Sequence, residues 1–201
     1  TLPQPFCEDM ECGPNLIWGD YGTNKPAAEY YLRTNVPHAY ILRPPYLYGP
    51  MNNLYREAFV FECAEDDRPF YLPKNGQMQL QFFHIRDLCR FMKLLLEKHP
   101  QQHIFNVGNE ESIDVRSWVE VCYGTLGKTP ELRYVTDDIP QRSFFPFYDY
   151  EYKLEVSEQM KLMPDTVQFD TGIAESYEWY AKNRELIVRK PLNEFISKNF
   201  K

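Results

Sequence analysis

The chain has 201 residues, 43% of them hydrophobic, which is enough for one substantial core. Its net charge of −7, its pI near 5.2 and the scatter of its basic residues argue against a nucleic-acid partner. No apolar run reaches the ~18 residues of a membrane span and no signal peptide is visible, so a cytoplasmic protein with no membrane partner is expected.

Residues 1–20 are rich in Pro, Gly and acids and read as a loop. A helix should follow around Tyr21, with Ala27, Ala28, Tyr31 and Leu32 as its apolar stripe and Asn35 and Pro37 as its stop. Pro26 directly follows Lys25, and a residue before proline is pushed out of the helical region. Either that helix starts late or its first turns are irregular. Ala39–Leu42 is a short apolar run bounded by prolines, as in a buried parallel strand. Residues 53–65 read as helix, and 69–72 and 78–83 as strands around a Lys74-Asn75-Gly76 turn. Asp87 is placed to cap a helix with Leu88, Phe91, Met92 and Leu95 on one face. Residues 103–107 and 131–135 read as strands. Asp114 should cap a helix facing inward with Val115, Trp118, Val119, Cys122 and Leu126. Asp170 should cap one facing inward with Ile173, Tyr177, Tyr180 and Ala181. Residues 191–200 are weakly amphipathic. Strands alternating with helices indicate an α/β fold.

The five cysteines are odd in number and match no zinc spacing, so reduced thiols and no metal are expected. Cys7 and Cys12 are close enough in sequence to pair. Cys89 and Cys122 fall on apolar helix faces and are expected in the core.

Within Trp18-Gly-Asp-Tyr-Gly-Thr-Asn-Lys25 lies Tyr21-x-x-x-Lys25. On a helix the two residues share a face. An ammonium beside a phenol favours the phenolate, and such a pair can take a proton from an alcohol near neutral pH. Downstream come Leu42-Arg-Pro-Pro-Tyr-Leu-Tyr-Gly-Pro50, Phe82-Phe-His-Ile-Arg-Asp87 and Phe105-Asn-Val-Gly108. These four motifs, in this order, resemble those of the extended short-chain dehydrogenase/reductases, the NAD-dependent sugar-nucleotide epimerases and dehydratases.

The resemblance implies the C-terminal portion of a Rossmann-type NAD(P)-binding fold plus the small α/β substrate-binding domain. Residues 1–50 would end the nucleotide-binding domain. Residues 51–201 would be mainly substrate domain, with elements returning to the sheet. Tyr21 would be the general acid/base and Lys25 the partner of the nicotinamide ribose. Pro44 and Tyr46 would lie at the nicotinamide, and Tyr46, where many relatives carry Asn, would also reach the sugar. Asn53 is placed to touch sugar hydroxyls. Arg142, in Pro140-Gln-Arg-Ser143, resembles one of the family's two diphosphate arginines. Leu80 stands where the other usually is, and leucine cannot make that contact. His84 and Asp87 read as structural: a half-buried strand residue and a helix cap.

NAD is the expected cofactor, with NADP open. Yet none of the nine glycines forms the glycine-rich turn that brings backbone N–H groups to a pyrophosphate. The chain therefore resembles the C-terminal part of a longer protein and is expected to be inactive alone. A homodimer, or association with an N-terminal piece, is expected. The alternative is a non-catalytic binding or regulatory protein on the same scaffold.

Overall fold

The computed structural model describes residues 3–13 and 17–200. Helix α1 (Gly19–Asn35) runs unbroken across Pro26, neither late nor interrupted, and ends before Pro37. Strands β1 (Ile41–Arg43) and β2 (Tyr46–Tyr48) follow, then α2 (Glu57–Glu65), β3 (Phe70–Pro73), β4 (Gln79–Leu80) and β5 (Phe82–His84). Next come α3 (Ile85–Lys98), β6 (Ile104–Asn106), β7 (Ile113–Asp114), α4 (Val115–Thr125) and β8 (Leu132–Val135). The chain closes with α5 (Ser157–Leu162), α6 (Phe169–Lys182) and α7 (Leu192–Asn199).

The strands pair two by two. β1 runs parallel to β6, β2 to β5 and β3 to β8, while β4 is antiparallel to β7. Pro44 and Pro45 lie between β1 and β2. Neither has an N–H, so no continuous ladder passes through them, and the two strands take different partners. Helix α3 connects β5 to β6, and α4 connects β7 to β8. Each parallel pair is joined by a long connection that carries at least one helix, as parallel pairing requires: α2 lies between β2 and β5, α3 between β1 and β6, and α4 between β3 and β8.

The larger apolar cluster gathers α2, α4 and α6 around Phe59, Phe70, Phe82, Trp118, Phe145, Ile173 and their neighbours. A smaller cluster of Phe83, Phe91, Leu95, Phe105, Val107 and Met163 lies between α3 and the β5 and β6 strands. Each such side chain contributes roughly 1.5–3 kcal/mol when fully buried. Gly172 lets α6 approach β2: a Cβ there would stand 2.5 Å from the Tyr48 hydroxyl.

Several expectations are corrected. His84, not Asp87, caps α3. Its Nδ1 accepts the Arg86 N–H at 3.3 Å, and the ring is fully buried rather than half-buried. Asp87 is also buried. It accepts from Arg90 at 2.8 Å and from the Val167 N–H at 2.7 Å, so it ties α3 to the segment before α6. Asp114 does cap α4, accepting the Ser117 N–H at 2.9 Å. Gln168, not Asp170, precedes α6, and Ala181 faces solvent. On α3, Phe91 and Leu95 are buried, but Met92 and Cys89 face outward. All five cysteines are free thiols. The stripe expected on α1 is not a core face, since the helix buries no residue.

Candidate active site

Tyr21 and Lys25 lie one turn apart on α1, with the Lys25 ammonium 5.6 Å from the Tyr21 ring centre. Both are exposed, Tyr21 by 65%, and Lys25 makes no ion pair among the described residues. The helix is fastened instead through Glu29. Arg43 Nε and Nη2 donate to the two Glu29 oxygens at 3.0 and 2.6 Å, and Nη1 donates to the Glu8 carbonyl at 3.0 Å. Burial opposes the Arg43 charge, but the Glu29 bonds and neighbouring acidic groups hold its pKa above the ordinary value. Burial raises the pKa of Glu8, which accepts the Asn106 N–H at 2.9 Å. The strand arginine of the Leu42-Arg-Pro-Pro motif thus ties α1 and the segment around Glu8 to β1.

At the other end of α1, Trp18 packs 4.9 Å from Tyr148 and 6.5 Å from Tyr46. Tyr46 is buried against Phe147 at 4.7 Å and Tyr152 at 5.5 Å. Its hydroxyl has no hydrogen-bond partner among the described residues. Burial pushes its pKa up to about 12, against the pull of the Arg56 and Arg142 cations. Tyr152 lies within electrostatic reach of both Tyr46 and Tyr21. In the adjoining turn Gly49 adopts a φ of 117°, and a Cβ there would meet His84 Nε2 at 2.7 Å, so only glycine fits between β2 and the buried ring.

The structure brings Tyr46 and Arg142 to one aromatic patch beside the start of α1. The Arg142 guanidinium sits 4.7 Å from the Tyr148 ring and donates to the Pro146 carbonyl. Pro44 is exposed at the end of β1. The Asn53 side chain is exposed, while its carbonyl accepts the Val188 N–H at 2.9 Å. Leu80 is buried in the larger cluster. Sequence reasoning missed Arg56, Trp18 and Tyr152. Only the alternation Tyr148-x-Tyr150-x-Tyr152 offered a signal, and Arg56 belongs to no motif.

Residues 4–108 match the NAD dependent epimerase/dehydratase family. The chain belongs to this family. A curated relative, the chloroplast stem-loop binding protein of 41 kDa b of Arabidopsis thaliana, is 25% identical over 180 residues, 86% of this chain and 47% of its own length. The trifunctional UDP-glucose 4,6-dehydratase/UDP-4-keto-6-deoxy-D-glucose 3,5-epimerase/UDP-4-keto-L-rhamnose-reductase of the same plant is 23% identical over 146 residues, 69% of this chain and 20% of its own. This chain therefore spans less than half the length of either. The crystal structure of dTDP-glucose 4,6-dehydratase from Bacillus anthracis in complex with NAD superposes with a TM-score of 0.70 at 23% identity. The match covers 94% of this chain and 59% of that one. The fold is the α/β, Rossmann-like fold of the family. Among the described residues no helix is long and apolar enough to cross a membrane.

Proposed function

We propose that this chain carries the catalytic helix and the substrate-binding part of an NAD(P)-dependent epimerase, dehydratase or reductase acting on a sugar or sugar nucleotide. The observation that carries the reading is Tyr21 and Lys25, exposed together on one face of α1, with no ion pair at Lys25 among the described residues, in a member of this family. Residues 1–50 would complete the nucleotide-binding domain, and 51–201 would form mainly the substrate domain.

The donors present fit the ribose end of a nicotinamide nucleotide: a phenol and an ammonium side by side, with no carboxylate paired to the ammonium among the described residues. No glycine-rich turn for the pyrophosphate occurs in this sequence. When bound, NAD or NADP would supply the hydride acceptor. Tyr21, as the phenolate, would take the proton of the sugar hydroxyl as the carbon-bound hydride leaves, and as the phenol would return it in the reverse step. Lys25 would bind the ribose and keep a positive charge beside that oxygen. Pro44 and the partnerless Tyr46 hydroxyl would border the nicotinamide. Tyr46, Asn53 and Arg142 would contact the substrate. The exposed Tyr30, Tyr31 and Leu32 suit association through α1, with a second copy or with an N-terminal piece.

In the whole protein, Tyr21→Phe should lower turnover of a UDP-, GDP- or dTDP-sugar by about 10² to 10⁴. NAD affinity and melting temperature should stay close to wild type. Near-normal turnover by Tyr21→Phe on every substrate the wild type accepts would overturn the assignment. It would favour a second reading, a binding protein on the same scaffold. Leu80 and the likeness to a stem-loop binding protein support that reading.

A further inference from the structure

Residues 183–200 leave α6 and run back to α2. Every residue of α2 is buried except Glu62 and Glu65, which lie three positions apart on one face. Like charges at that spacing repel, and the last turn of α2 holds no basic residue to relieve them. The C-terminal segment supplies the relief. Arg184 Nη1 and Nη2 donate to the two Glu65 oxygens at 2.5 Å each. Arg189 Nε donates to Glu62 Oε1 at 2.8 Å, and its Nη1 to the Arg184 carbonyl at 3.1 Å. The Glu62 and Glu65 side chains are only 16% and 21% exposed, so these pairs are screened less than open surface pairs.

The same segment reaches two walls of the candidate site. Glu62 Oε2 accepts from the Tyr55 hydroxyl, whose oxygen accepts from Asn193 Nδ2 at 3.4 Å. The Val188 N–H donates to the Asn53 carbonyl at 2.9 Å. Asn53 and Tyr55 belong to the loop between β2 and α2, which ends at Arg56 on the Leu47 carbonyl. At the far end Phe200 stacks on Tyr71 at 4.7 Å and packs 5.6 Å from Phe144, directly after the 3-10 turn Gln141–Ser143 that carries Arg142. One segment thus fastens both the Asn53 loop and the Arg142 turn, and none of these contacts involves α1. We propose that residues 183–200 are a strap that holds these two walls in place, with Arg189 as a positioning residue. It acts through Glu62 and Tyr55 on the loop. The consequence for substrate rests on the reading above, and the strap itself does not.

The test is amide exchange and steady-state kinetics of the whole protein for wild type, Arg189→Gln, Arg189→Lys, Phe200→Ala and the control Arg116→Gln. Arg116 makes an open pair with Glu120 on α4. In Arg189→Gln, exchange should quicken about tenfold or more at residues 53–56 and at Val188, while α1 and α4 keep wild-type rates. Phe200→Ala should do the same at 141–147. With the nucleotide sugar that the wild type turns over, KM should rise about three- to tenfold in Arg189→Gln, the reach of a contact that acts through its neighbours. Turnover at saturation and NAD affinity should hold. Arg189→Lys keeps the charge and should recover part of the loss, and Arg116→Gln should match wild type. Wild-type exchange at 53–56 in Arg189→Gln would overturn the strap. So would exchange that quickens equally in α4, which would mark a general loss of stability. Quickened exchange with unchanged KM would refute the positioning role and leave the catalytic reading standing. If the wild type turns over no nucleotide sugar, the catalytic reading falls and exchange decides the strap: quickening confined to 53–56 and Val188 upholds it, and wild-type rates there overturn it.

Discussion

Helices α1 and α4 differ in what holds them. The eleven residues of α4 bury Val115, Trp118, Val119, Cys122 and Tyr123, and its first turn is capped by Asp114. The seventeen residues of α1 bury none and contain a proline. Its attachment is polar and aromatic: Glu29 to Arg43 at one point, Trp18 against Tyr148 at another. A helix held by packing stabilises the domain. One held by a few specific contacts keeps a whole face available, and in α1 that face carries Tyr21 and Lys25. The same contrast separates the paired surface arginines from Arg56 and Arg142. Those two bond to the Leu47 and Pro146 carbonyls and lie over aromatic rings instead of pairing with a carboxylate.

The contrast can be broken by substitution. Trp118→Ala, at a fully buried indole, should cost about 3–5 kcal/mol in denaturant unfolding. A cost below ~1 kcal/mol would mean that α4 is not the packed element described. Glu29→Gln strips Arg43 of its charged partner where both side chains are only 12% and 16% exposed. It should cost roughly 1.5–3 kcal/mol. Amide exchange should also rise in α1 ahead of the core helices, and uniform exchange would refute a separately anchored α1.

A smaller effect belongs to His84. Burial lowers its pKa. Arg86 acts the same way, while Glu175, 3.5 Å from Nε2, and Asp87 oppose it. The native state therefore favours the neutral ring, and the unfolded chain binds the proton first. Stability from this group is complete above the ordinary histidine pKa of about 6.5 and is lost as pH falls below it. Urea midpoints of wild type and His84→Gln should separate as pH goes from 8 to 5.5, with the wild type steeper. Parallel curves would contradict the assignment. Smallest of all, Tyr30→Ala on α1 should shift stability by no more than about 0.5 kcal/mol. A larger loss in a concentration-dependent melt would show that this face is covered in solution.

The sequence by itself determined the family, the order of most elements and the pairing of Tyr21 with Lys25. Those signals are local: a spacing of four on a helix, prolines closing a strand, glycine in a turn. The Asp114 cap was legible for the same reason, because donor and acceptor are three residues apart. The tertiary structure alone decided the rest. His84 took the capping role because Asp87 was drawn to Val167, eighty residues away. Cys89 and Met92 turn outward because only the opposite face of α3, with Phe91 and Leu95, packs against β5 and β6. Arg56 and Arg142 come from distant stretches of the chain, and no spacing announces that both reach the aromatic patch of Trp18, Tyr46, Phe147 and Tyr148. A cation's function depends on which charges fold in beside it, and that is settled by long-range packing rather than by neighbours in the chain.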